Sequence, residues 1–310
     1  MSARPLFHRA LSPLFLSLAP RLRPSMRAPG ARALKRWWYR CFSDPYTNVV
    51  DRPVRVIASF GGVFEGRLSG VVQRSLFHFG VFEPNLTAFI VARLHPGDTF
   101  IDVGANVGYF TLLAATLVGP DGHVVSIEAS PSTYSALQKN IAANGAKNVR
   151  TVNVAAFDCE ASVPIYYLPE EEFTSGASLL RSIGPQEAIV SAKPLAAILS
   201  AHELSNARLI KIDVEGAEER VVTGLLQAEQ HLRPDVEIVV EVLPELFDAV
   251  RTRFAACGFS ASILDNPLDP LADRNACTRP RPIPAGVRPA EVAMSHGVIY
   301  LLFSRGPAPR

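Results

Sequence analysis

The chain has 310 residues, 48% of them hydrophobic and 19% charged, with a net charge of +2 and four cysteines. That length can bury a sizeable core in one large domain or two small ones. The four thiols are far apart and form no CxxC pair, so they give neither metal-ligand spacing nor a disulfide framework, and they fit a reducing compartment. The charge is uneven: residues 1–43 hold nine Lys or Arg and no acid, which leaves the rest at −7, a body too acidic to neutralise a nucleic-acid backbone.

Residues 1–45 are rich in Arg and Pro and show no sustained period. The apolar run 10–20 after Arg4 and Arg9 has the look of a signal peptide, but Pro13 and its shortness count against that. The Arg-rich, acid-free start also has the composition of a transit peptide. A disordered basic arm is preferred to either. Trp37, Trp38 and Tyr39 beside Lys35 and Arg36 would give this arm a weak peripheral contact with anionic membranes. No segment reaches the roughly 20 unbroken apolar residues of a membrane span, and the expected location is cytoplasmic.

Runs 54–59 and 63–69 flank Gly61-Gly62 and predict a hairpin. Residues 85–94 follow Pro84 and place Leu86, Phe89, Ile90 and Leu94 at helical spacing, ending at Pro96-Gly97. Residues 46–98 thus read as an N-terminal hairpin and helix extension. Strand-like runs then appear at 99–103, 123–128, 149–154, 208–214 and 236–242, alternating with helical runs at 109–118, 132–144, 216–227 and 244–257. Such alternation implies right-handed crossovers and a largely parallel sheet covered on both faces. Ile-Val-Val at 238–240 is continuous rather than alternating, as in a doubly buried strand. The rhythm breaks between 155 and 207, where 163–168 reads as a short strand, Glu170-Glu171-Glu172 is a charge run and 174–178 is small and polar. This insertion, 159–200, is expected over the ligand-binding edge. A Pro-rich loop at 266–289 precedes a final buried strand at 296–303.

The most informative stretch is T-F-I-D-V-G-A-N-V-G-Y-F-T-L-L at 99–113: strand, glycine loop, helix. In an open α/β sheet ligands bind at the carboxyl ends of the strands, by the switch point. Gly104 and Gly108 can take positive φ and leave room for a ligand, and a helix starting near Tyr109 offers free N–H groups. Asp102 discriminates among ligands: a carboxylate repels a pyrophosphate but favours the ammonium and sulfonium of S-adenosylmethionine. Glu128 ends the second strand 24 residues after Gly104, near the spacing of about 20 for an acid that binds ribose hydroxyls. Asp158, after the third strand, could reach an adenine amino group or simply form a turn; both readings stand.

A second cluster is L-I-K-I-D-V-E-G-A-E-E at 209–219. Lys211 and Asp213 share one face of the fourth strand by period two, and a buried Lys needs a carboxylate partner. Gly216 allows a sharp turn, while Glu218 and Glu219 suit the start of a helix on dipole grounds alone. Glu241 closes the fifth strand. Methyl transfer from a sulfonium needs alignment above all, and a hydroxyl acceptor benefits from a general base. Asp213 and Glu215 are the candidate bases, with His78 and His202 as outside candidates because a lone His is more often structural. The His residues show no ligand spacing, so no metal is expected.

Four motifs carry a resemblance: F-I-D-V-G-A-N-V-G-Y-F-T (100–111), S-I-E-A-S-P (126–131), L-I-K-I-D-V-E-G-A-E (209–218) and V-E-V-L-P-E (240–245). On these the chain resembles the FkbM family of class I methyltransferases, from about Glu83 to Phe259. The resemblance implies an α/β, Rossmann-like class I fold over 99–304, with a mostly parallel seven-stranded sheet and helices on both faces. It implies S-adenosyl-L-methionine as cofactor and O-methylation of a sugar, glycolipid or other small-molecule hydroxyl. Asp102, Gly104, Ala105, Asn106, Gly108, Glu128 and Asp158 are the candidate cofactor residues. Asp213 and Glu215 are the candidate catalytic ones, and Glu218 shares their acidic motif. The basic arm and the Pro-rich loop depart from the family pattern.

Three rivals fit less well. Enzymes that methylate base amines resemble one another in an Asn/Asp-Pro-Pro-aromatic run, and Asp213-Val214-Glu215-Gly216 has neither Pro nor aromatic, so nucleic acid is not an expected partner; a protein acceptor is the remaining methyltransferase alternative. A nicotinamide enzyme would carry G-x-G-x-x-G, and Gly104-Ala105-Asn106 lacks the second Gly. A non-catalytic S-adenosylmethionine-binding module would keep the fold, yet the loop and its acids are intact.

Overall fold

The computed structural model describes residues 52–167, 177–178, 185–264, 281–282 and 298–305. The basic arm 1–45, the Glu170–Glu172 charge run and nearly all of the Pro-rich stretch 266–289 lie outside the described residues. The chain divides into two units, one built on residues up to Phe82 and one from Glu83 onward.

In the first unit β1 (Pro53–Ile57) and β2 (Val63–Arg67) pair antiparallel, as the Gly61-Gly62 turn predicts. α1 (Val71–Phe79) follows, between Gly70 and Gly80. Sequence periodicity did not reveal α1, because Gln73 and His78 interrupt its apolar face and are nonetheless buried.

The second unit opens with α2 (Pro84–Arg93), which the sequence reading assigns to the hairpin extension. The alternating elements follow: β3 (Thr99–Val103), α3 (Tyr109–Val118), β4 (His123–Ile127), α4 (Pro131–Asn144), β5 (Val149–Val152), then β10 (Ala207–Ile212), α7 (Glu218–Leu226), β11 (Glu237–Val242) and α8 (Phe247–Ala256). β12 (Ser260–Leu264), the two-residue β13 (Arg281–Pro282) and β14 (Ile299–Ser304) complete the sheet. Its order is β13-β12-β14-β11-β10-β3-β4-β5. The five strands from β5 to β11 are parallel. β14 runs antiparallel between β11 and β12, so seven full-length strands form a mostly parallel sheet with one reversed member. The order turns outward in both directions from β3 and β10, and that reversal opens a crevice at their carboxyl ends.

Helices cover both faces. Alternate residues of β3 face opposite ways. Ile101 and Val103 join the core with Val221, Val222 and Leu225 of α7 and Val250 and Phe254 of α8, while Asp102 meets α3 through Thr111. Phe254 stacks on Phe303 of β14 with 3.8 Å between ring centroids; each such buried ring contributes about 1.5–3 kcal/mol.

Between β5 and β10 lies a separate four-stranded sheet. It is built from β6 (Ala155–Phe157), β7 (Ala161–Tyr167), β8 (Ala177–Ser178) and β9 (Gln186–Pro194), in the order β6-β9-β7-β8. Two short helices, α5 (Leu195–Ile198) and α6 (Ala201–Asn206), lead back to β10; Ser200 and Glu203 cap α6 reciprocally in a capping box. The described part of the predicted insertion thus belongs to a folded sheet and the short helices that follow it. β9 was not legible because most of its residues are half-buried or exposed, so it carries no apolar run.

Candidate active site

Asp102 is the fourth residue of β3. Register places it between Lys211 of β10 and Ser126 of β4, with Thr151 of β5 next in the row. Neighbours in parallel register share a face, so these side chains draw one polar row across an apolar sheet. The Thr111 hydroxyl donates to Asp102 Oδ2 at 2.7 Å and lies 2.8 Å from Ser126 Oγ. Lys211 Nζ is 3.0 Å from Asp213 Oδ2 and 3.7 Å from Asp102 Oδ1, and it stands over the Phe110 ring. Burial alone would lower the Lys211 pKa, but the Asp213, Asp102 and Glu83 carboxylates outweigh it and raise the value. The Lys–carboxylate pair expected from period two is present.

Asp102 itself is 0% exposed. Burial raises its pKa, against the pull of Lys211 and Thr111. Asp102 lies beneath the loop, held by Thr111 and Lys211, and is not among the residues that line the cleft.

The loop is closed on itself. Gly104 and Ala105 both donate N–H to the Ile127 carbonyl, Gly108 donates to the Ala105 carbonyl, Asn106 donates to Glu128 Oε2 at 2.8 Å and Val107 donates to Asn106 Oδ1. The N–H groups of the loop residues 104–108 are therefore engaged within the protein. The loop can offer a ligand carbonyl oxygens and side chains, which suit an ammonium donor better than a phosphate. Ala105 and Gly108 shape the loop without lining the cleft.

A cleft opens over this loop. Val103, Ile127, Val154, Ala156 and Val214 give it apolar walls, while Gly104, Asn106, Glu128, Thr133, Asp213 and Glu215 supply its polar surface. Glu128 accepts N–H from Asn106 and from Ser130, the latter at 2.9 Å. Each of its oxygens keeps a second lone pair. Burial pushes its carboxyl up to about 7, although the Ser130 and Asn106 N–H groups pull the other way. Among the described residues Glu83, Asn106 and Glu215 are the non-glycines with positive φ, at 40°, 50° and 54°. Asn tolerates this region; Glu215 is held there against steric cost, as residues at functional sites often are.

Other acids have different places. Glu218 is buried and accepts the Gly216 N–H at 2.8 Å, fixing the turn before α7; burial pushes it up to about 7. Glu219 pairs with Arg253. Asp158 pairs with Arg220 at 2.7 Å, its carbonyl accepts from Gln227, and it does not line the cleft. That arrangement ties its Oδ2 to α7. His202 is on α6, which feeds the start of β10 at the edge opposite the cleft; His78 belongs to the first unit. No group of three or more metal-ligating side chains is found among the described residues.

Beside Asp213 the register brings Glu241 of β11, which pairs with Tyr300 of β14. The Tyr300 hydroxyl donates to Glu241 Oε2 at 2.5 Å and lies 3.0 Å from Glu83 Oε2. Burial, then the negative charges of Asp213 and Glu83, raises Glu241 well above the usual carboxylate range. Thr133 and the apolar lining residues escaped sequence reasoning, though the Ser130-Pro131 helix start signals that Thr133 sits in a first turn.

Apolar walls suit a flat base, Glu128 suits a vicinal diol, and Asp213 and Glu215 suit a cation; a pyrophosphate would meet the Glu128, Asp213 and Glu215 carboxylates. The doubly wound sheet and this donor set fit the class I methyltransferase fold and a site for S-adenosylmethionine. The chain belongs to the FkbM methyltransferase family: the methyltransferase FkbM domain matches residues 102–261, just over half of the chain. The chain is similar to an arsenite methyltransferase of Halobacterium salinarum, 43% identical over 58 residues, covering 19% of this chain and 15% of that protein. It is 25% identical over 189 residues to Methyltransferase 1 of Beauveria bassiana, covering 54% and 75% respectively. It is 28% identical over 166 residues to the 31-O-demethyl-FK506 methyltransferase FkbM of Streptomyces tacrolimicus, covering 44% and 63%. The chain thus spans only part of the length of each relative.

Proposed function

We propose that this protein transfers a methyl group from S-adenosylmethionine to a hydroxyl of a small molecule such as a sugar, glycolipid or natural product. The observation that carries the reading is the Asp213 carboxylate, which lines the cleft while anchored to the buried Lys211 ammonium. The name of the Streptomyces relative, 31-O-demethyl-FK506 methyltransferase, supports a hydroxyl acceptor.

Bound S-adenosylmethionine supplies a methyl on a sulfonium, already activated for in-line displacement. Glu128 would accept the ribose hydroxyls, and the Gly104–Asn106 side of the loop would seat the amino-acid end. Asp213 accepts the proton of the attacking hydroxyl, with Glu215 beside it on the same turn. Lys211 holds that carboxylate in place and balances its charge.

Calorimetry with S-adenosylhomocysteine tests the cofactor half: micromolar binding is expected, and binding of NAD in its place would overturn the reading. Glu128→Ala should weaken S-adenosylhomocysteine roughly ten-fold, the worth of a charged hydrogen bond. An unchanged affinity would refute the ribose role. The pH dependence follows from the raised Glu128 carboxyl. Below about 7 it holds a proton and loses acceptor capacity, so affinity should fall on acidification through that pH by up to about ten-fold in all and level off above it. Stability of the unliganded protein runs the opposite way: a raised carboxyl stabilises fully below its unfolded pKa and this is lost as pH rises through about 7. Glu218 shares that window, so binding is the discriminating measurement; Glu128→Gln should flatten the binding profile.

A further inference from the structure

We propose that Glu187, on β9 of the insertion sheet, is a positioning residue of the cofactor site and fixes Glu128 through Ser130. The inference rests on the reading of Glu128 as the ribose acceptor. The chain of contacts is short. Glu187 Oε2 accepts the Ser130 hydroxyl at 2.8 Å, and Oε1 accepts the Ser132 N–H at 3.0 Å. Ser130 is 1% exposed, and its N–H donates to Glu128 Oε1 at 2.9 Å.

Ser130 therefore works in three directions. Its hydroxyl hydrogen goes to Glu187, which leaves an oxygen lone pair for the Thr133 N–H at 3.2 Å, and its backbone N–H goes to Glu128. With the hydroxyl pinned by Glu187, the capping geometry, and with it the direction of the Ser130 N–H, is set. Thr133 lines the same cleft, so the strut holds two cleft residues.

The electrostatics support the same role. α4 has no acidic residue in its first turn, where the helix dipole favours negative charge. Glu187 supplies that charge from 57 residues away in sequence. An acid used only to cap α4 would be equally served by a local Asp or Glu. Drawn from the insertion, it instead ties the sheet that β6 and β9 build, and whose Ala156 lines the cleft, to the helix that orients Glu128.

The test is a double-mutant cycle read by S-adenosylhomocysteine calorimetry on the full chain. Glu187→Ala is expected to weaken binding about ten-fold, in line with loss of a charged hydrogen bond. In a Glu128→Gln background the same change is expected to cost less than about two-fold, because coupled residues are non-additive. Equal losses in the two backgrounds, or no loss from Glu187→Ala alone, would overturn the proposal. Should Glu187→Ala fail to fold, Glu187→Gln keeps the side-chain shape and carries the same cycle. If Glu128→Gln leaves affinity unchanged while Glu187→Ala weakens it, the ribose role of Glu128 has failed, and with it the route through Glu128. If Glu128→Gln weakens binding and Glu187→Ala does not, only the strut has failed.

Discussion

Gly104→Ala is expected to remove much of the stability of the fold. A Cβ at this position would lie 1.7 Å from the Asp213 carbonyl oxygen and 2.8 Å from its carbon. Both are backbone atoms, so no side-chain rotation relieves the clash. Asp213 cannot step aside cheaply, because its N–H donates to the Val103 carbonyl at 3.0 Å and continues the β3–β10 pairing. The φ of +76° adds strain for any residue with a Cβ. Overpacking of this kind, with a ladder bond broken and a left-handed residue, should exceed about 4 kcal/mol, a large part of the roughly 5–15 kcal/mol that holds a domain together. Gly97→Ala is the control. It shares a positive φ, +88°, but nothing lies within 4 Å of its Cβ, so a loss near 1 kcal/mol is expected. Urea unfolding measures both; a Gly104→Ala midpoint close to the parent's would contradict the closeness of the two strands.

Asp213→Asn should lower kcat by about 10²- to 10³-fold, the usual worth of a general base, on whichever hydroxyl acceptor a methyl-transfer screen returns. The amide keeps an oxygen for Lys211 Nζ, now 3.0 Å from Asp213 Oδ2, so the fold and the S-adenosylhomocysteine affinity should hold within about three-fold. It cannot take up a proton at neutral pH. Turnover equal to the parent's would remove Asp213 from the proton transfer. Loss of cofactor affinity in the same measure would move it to the binding side of the cleft.

Short-range chemistry was the legible part of this chain. The β3–loop–α3 unit is written in consecutive residues, and the Lys211–Asp213 pair follows from period two and the need of a buried ammonium for a counter-charge. What escaped depends on contacts distant in sequence or on faces without pattern. Asp102 reads as a ligand-facing acid until register sets it between Lys211 and Ser126 with Thr111 above. β12 is short and begins with Ser-Ala-Ser, and is made a strand by pairing with β14. Glu83 and Tyr300 meet across 217 residues of sequence, and Glu187 reaches Ser130 from another sheet. None of these leaves a local trace, because a polar side chain satisfied by a distant partner looks in sequence like one satisfied by water.

The Tyr300 phenol has a consequence for calorimetry. A hydroxyl has one hydrogen, yet two carboxyl oxygens lie at 2.5 and 3.0 Å from it. The second contact is a hydrogen bond only if one carboxyl carries its own hydrogen, in keeping with the raised Glu241. Glu128 and Glu218, both near 7, add fractional protons to the same store. Folding near neutral pH therefore draws hydrogen ions from solution, and unfolding returns them. The apparent unfolding enthalpy should then differ between phosphate and Tris at equal pH by the number of ions released times the difference in buffer ionisation heat.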